Sequence, residues 1–110
     1  MRKEITIMDN PHDGHRQRLK ERFLKTGLES FQPHEILELL LFFARPRIDT
    51  NEMSHELINK FGSLSNVFDA NFDDISSVKG VGESGAILIK MIPQLASVYS
   101  VSQTENDIMD

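Results

Sequence analysis

The chain has 110 residues, 39% hydrophobic content and a formal net charge of −5 at pH 7. That length suits one small domain, and with no cysteine present burial of apolar side chains alone has to hold it together. No apolar run reaches the roughly 18 residues of a membrane span and no secretory signal opens the chain, so the expected setting is cytoplasmic, with no membrane among its partners.

The acidic balance argues against a DNA binder that works by bulk charge, and the charge is unevenly placed. Residues 1–50 hold 9 Lys/Arg and 8 Asp/Glu, giving +1, whereas residues 51–110 hold 3 and 9, giving −6.

In chain order, residues 1–11 carry no periodicity and are expected to be a flexible lead that ends at the Asn10-Pro11 turn signal. A helix follows over 15–25, capped by Asp13 or Gly14 and ended by Gly27. Leu19 and Phe23 share its buried stripe, and His15, Arg18, Arg22 and Lys25 fall on an adjacent one. That second stripe reads either as a solvated basic face or as a phosphate-contacting surface. Pro33 is placed to open the next helix. The run EILELLLFFA (35–44) is apolar almost all round, which marks the buried centre of a bundle. Leu37, Leu40 and Phe43 are expected among the most buried residues, with Glu35 and Glu38 as its exposed edge. Arg45-Pro46-Arg47 breaks the helix. Asp49 and Glu52 resemble a capping box for a helix to Phe61, with Met53, Leu57, Ile58 and Phe61 inward. A short helix over 64–69 precedes another capped by Asn71, with Asp73 and Asp74 in its first turn.

The stretch ISSVKGVGESGAILIK (75–90) then reads as a helix end, a Gly-Val-Gly turn and the start of a long helix. Gly80 and Gly82 flank Val81, which suits a turn with exposed backbone N–H groups and one side chain plugged inward. The amides of Gly82, Glu83 and Ser84 open the helix, where unpaired donors and partial positive charge suit a phosphate. The last helix is expected to run to about Tyr99, kinked at Pro93. Its apolar arc is Ile87, Leu88, Met91, Leu95, Val98 and Tyr99, and its polar edge includes Glu83, Lys90 and Gln94. The tail over 101–110 is polar and acidic and is expected to be disordered. No segment alternates as a strand would. The expected fold class is all-α, a small bundle of about five helices.

The apolar frame Ile75, Val78, Val81, Ala86 and Ile89, with Gly80 and Gly82, resembles a helix-hairpin-helix motif, the sequence-nonspecific DNA-backbone module, over 64–98. Its lead-in FGSLSNVFDA (61–70) resembles the corresponding region of UvrC-type repair nucleases. The stretches GHRQRLKERFLKTGLE (14–29), EILELLLFFARPRIDTN (35–51), FGSLSNVFDA, VKGVGESGA and IPQLASVY together resemble the N-terminal domain of the bacterial RadC family, over about residues 12–100. The resemblance implies a DNA-repair setting, and in a full-length protein a C-terminal JAB/MPN-type zinc-dependent metallohydrolase domain with an HxH…Asp ligand set. This chain carries no such ligand set, so it is expected to be a truncated form or a stand-alone protein, and not itself an enzyme.

Catalytic chemistry is not expected from the residues either. His12, His15, His34 and His55 lack HxH or HExxH spacing, so no metal and no cofactor are expected. Ser84 has no histidine placed to activate it. Two functions stand against each other. In one, Lys79, Gly80, Gly82 and Ser84, with Val81 seating the turn, contact the backbone of double-stranded or branched DNA, and Arg16, Arg18 and Arg22 extend the footprint. In the other, the domain is a protein-interaction or regulatory module and the turn is a structural joint, a reading favoured by Glu83, Asp73 and Asp74 around it.

Overall fold

The computed structural model describes residues 11–109, six α-helices and one 3-10 turn with no strand among them. They are α1 (Pro11–Thr26), a 3-10 turn (Gly27–Ser30), α2 (Pro33–Ala44), α3 (Thr50–Phe61), α4 (Leu64–Asp69), α5 (Phe72–Ser76) and α6 (Gly82–Met109). The all-α class holds, with six α-helices where about five were expected. Most of the lead lies outside the described residues. Its last member, Pro11, begins α1, because a proline's missing N–H costs nothing at a first helical position. Asp13 and Gly14, expected as caps, therefore lie inside the helix.

Local sequence decides most of the other boundaries. Pro33 opens α2, and the Gln32 N–H donates to Glu35 Oε1 at 2.9 Å. Asp49 accepts the Asn51 N–H at 3.0 Å to start α3. Ser63 accepts the Asn66 N–H at 3.1 Å, and Asn71 Oδ1 accepts the Asp74 N–H at 2.9 Å. Each of these satisfies a donor that the first turn of a helix leaves orphaned.

Helix α2 is apolar all round because two of its faces enter separate clusters and the third lines an open groove. Leu37 and Leu41 enter the main core with Met53 and Leu57 of α3, Val67 of α4, Ile75 of α5, and Ala86 and Ile89 of α6. Leu39 and Phe42 point the other way, into a smaller cluster with Leu19 of α1 and Phe31. Ile36, Leu40 and Phe43, at i, i+4 and i+7, make the third face. Of the three residues expected to be deepest, Leu37 is fully buried, Leu40 is only partly covered and Phe43 is 64% exposed. The first two faces used up the available neighbours.

Glu38 corrects the sequence reading more sharply. It is not an exposed edge but is 2% exposed. Its carboxylate meets His15 Nε2 at 2.9 Å and accepts from Asn51 Nδ2 at 3.2 Å, while its backbone carbonyl accepts from Thr50 Oγ1 at 3.1 Å. Glu35 is half-buried and takes a two-pronged bond from Arg22, both contacts 3.1 Å. The Arg22 guanidinium hydrogen bonds hold the Glu35 carboxyl below the usual carboxylate range against the opposing effect of burial.

Helix α6 also departs from expectation. It continues through 101–109, where a disordered tail was expected. Its core-facing residues are Gly85, Ala86 and Ile89, while Ile87, Met91, Leu95, Val98 and Tyr99 of its apolar arc are exposed. Over Gly82–Asp107 it is long and apolar enough to cross a membrane by length and composition, although its first turns are built into the main core.

Two outcomes follow for stability. Leu37→Ala is expected to cost about 2–5 kcal/mol in urea denaturation, and Phe43→Ala less than about 1 kcal/mol; similar losses at the two sites would contradict the three-face packing. The Glu35 value is lower in the folded than in the unfolded state. Its stabilisation is therefore present above the unfolded carboxylate value of about 4.3 and lost as pH falls through the folded value. The stability gap between wild type and Glu35→Gln should accordingly close on acidification; a gap that widens would refute the pairing.

Candidate nucleic-acid interface

The joint between α5 and α6 is built by local hydrogen bonds and two left-handed glycines. The Val78 N–H donates to the Ile75 carbonyl at 3.2 Å, and the Val81 N–H to the Val78 carbonyl at 3.0 Å. Gly80 has φ +91° and Gly82 φ +67°, backbone that side chains with a Cβ rarely adopt. Space is closed at Gly80 as well: a Cβ there would stand 2.8 Å from Met53 Cε. Val81 between them is fully buried, so the turn is seated on the main core by that side chain. A third glycine, which the sequence reading did not single out, completes the joint. A Cβ on Gly85 would lie 2.9 Å from Val81 Cγ1 and 3.3 Å from Leu41 Cδ2. Its bareness lets the head of α6 press against α2.

Two lysines fix the neighbouring helices. Lys60 Nζ of α3 donates to the Asp74 carbonyl and to Ser77 Oγ, both at 3.3 Å. Lys90 Nζ donates to the Ala70 carbonyl at 2.7 Å and the Phe68 carbonyl at 3.2 Å, satisfying carbonyls at the end of α4. Lys90, expected on the polar edge of α6, is thus a tie between helices.

At the joint's surface, Lys79, Glu83 and Ser84 are exposed, beside the first amides of α6, which have no partner within their own helix. Of the three α1 arginines, two have partners within the fold. Arg22 is committed to Glu35 and the Ser30 carbonyl, and lies over the Phe31 ring at 4.4 Å. Arg16 donates to the backbone carbonyls of Pro46 and Ile48 in the loop between α2 and α3. Arg18 is exposed.

The loop that Arg16 holds carries a residue the sequence reading treated only as a helix breaker. The Arg45 guanidinium lies against Gly82: a Cβ on that glycine would be 3.7 Å from Nη1 and 3.9 Å from Cζ of Arg45. Its Nε is buried and has no hydrogen-bond partner. The available sequence signal was the pair of arginines around Pro46, which says nothing about which helix start they meet. Elsewhere, the His34 and His55 rings stack at 4.0 Å, and among the described residues no group of three or more His, Cys, Asp or Glu is arranged to hold a metal.

Residues 12–87 match the N-terminal domain of the UPF0758 family. A UPF0758 protein of Fusobacterium nucleatum subsp. nucleatum is 40% identical over 100 residues, covering 91% of this chain and 43% of that protein. The chain thus spans less than half the length of that curated relative. No solved structure matches it. Both the domain match and the identity place this chain in one family: it belongs to the UPF0758 family, whose N-terminal region is RadC-like.

Proposed function

We propose that this chain is a sequence-nonspecific DNA-binding module of a RadC-like repair protein, and that the joint between α5 and α6 contacts backbone phosphate as a helix-hairpin-helix. The observation that carries this reading is Arg45. A guanidinium whose Nη1 and Cζ lie against Gly82 at the positive end of α6 is two like-signed features side by side. A phosphate at that end of α6 supplies the counter-charge both features lack.

The roles divide by chemistry. The amides of Gly82, Glu83 and Ser84 donate to phosphate oxygens, and Ser84 adds a hydroxyl. Gly82 keeps the space beside Arg45 clear, and Gly80 lets the turn close onto Met53, with Val81 holding it on the core. Arg45 and Lys79 supply charge. Arg16 supports the site indirectly by holding the Arg45 loop, and Arg22 is absorbed by its ion pair. Such contacts fix position on a duplex and read no bases. The net charge of −5 and the exposed Glu83 keep the affinity modest, which suits a module working beside another domain. The contrasting reading, a protein-interaction module with a structural joint, draws on the exposed apolar side chains of α1 and α6.

Anisotropy with a short labelled duplex across a salt series tests this. Arg45→Gln is expected to weaken binding for all sequences alike and to reduce the salt slope by about 1. Glu83→Lys is expected to strengthen binding and steepen that slope, while costing about 0.3–1 kcal/mol of stability by opposing the helix dipole. If Glu83→Lys shows the stability loss while duplex binding stays undetectable at low salt, the phosphate reading fails.

A further inference from the structure

The distal half of α6 and a groove beside its midpoint both present apolar surface that this chain leaves uncovered. Every residue from Gln94 to Asp107 is exposed, including Leu95, Val98 and Val101, which continue the row of Ile87 and Met91 at helical spacing. The row faces away from Ile89, so α6 turns it from its own core. A segment of about four turns whose every residue is exposed is marginal in water by itself. The groove, with a volume of about 540 Å³, lies between α1 and α2 and ends at Ile92 of α6. Its walls include Phe23, Leu24, Leu28 and Phe43, of which Leu24 is 80% exposed.

Charge selects the occupant. The groove's one charged lining side chain is Lys20, which together with Arg16 also lines the adjoining hollow. Beyond Lys90, residues 91–110 contain Glu105, Asp107 and Asp110 and no Lys or Arg. An apolar helix with an acidic end thus matches an apolar groove with a basic end. No residue of α6 beyond Ile92 lines the groove, so the distal half does not fill it in its own chain. We infer that a second copy fills it: two chains exchange the distal halves of α6, each lying in the other's groove as an amphipathic helix. Reciprocity about a two-fold axis makes the contact twice and closes the assembly at two. The inference is independent of phosphate binding.

The test uses the full chain, which contains no cysteine. Light scattering is expected to give twice the 12.6 kDa chain mass in the upper micromolar range. Leu24→Glu and Val98→Glu should each return the monomer with its cooperative urea transition kept, since both side chains are largely outside the core. Mixing Leu24→Cys with Val98→Cys under mild oxidation should give the mixed disulfide dimer well ahead of Glu56→Cys with Val98→Cys. A monomer at every concentration overturns the inference, leaving the surfaces to another domain or protein. A dominant Val98→Cys homodisulfide also overturns it, because it would mean that the two α6 helices pair with each other. Equal trapping of the two mixtures would do the same.

Discussion

A buried carboxylate sets the arrangement of the first three helices. Glu38 sits at the centre of α2 with almost no contact with water, and an unpaired charge there would cost several kcal/mol. Its two partners come from different helices, His15 of α1 and Asn51 of α3. The Thr50 hydroxyl meanwhile bonds the Glu38 carbonyl, and Ser54 Oγ donates to the Thr50 carbonyl at 2.6 Å. Any relative movement of α1 or α3 along α2 would strip that charge of a partner. Apolar packing would tolerate small slips of these helices; this polar node does not.

The same arrangement places the α5–α6 joint. Once α3 is registered on α2, Met53 lies beneath Gly80, and Leu41 faces Gly85. Arg16 then holds the loop after α2 through its carbonyls, which brings Arg45 over Gly82. The candidate phosphate site thus depends on a chain of contacts beginning far from it in sequence. None of its backbone geometry is available without the core beneath Val81.

What could be read from the sequence follows this division between local and distant causes. Pro33, Asn71 and the two glycines around Val81 act within a few residues, and each does in the structure what its chemistry implied. Asp49 caps α3 through the Asn51 N–H and not through the pairing with Glu52 that was expected. Glu38 looked like a surface edge because the residues that pair with it are 13 positions or more away. Phe43 looked central because an all-round apolar helix does not reveal which of its faces lacks a neighbour. Arg45 could not be recognised as part of the site, since its meeting with Gly82 is purely tertiary. The acidic tail failed for another reason. Composition suggested disorder, but no Gly or Pro follows Pro93, and extending an existing helix avoids the cost of nucleating a new one.

The continuity of α6 gives the turn at its head a mechanical meaning. At 1.5 Å per residue, its 28 residues make a rod of about 42 Å, clamped at one end by Val81, Gly85 and Ile89 and outside its own chain's core at the other. A pivot of about 5° at the clamp would sweep the far tip through about 4 Å for a rod of that length. Whatever seats itself against Gly82 and Arg45 therefore acts at the short end of a lever, and the long end reports it.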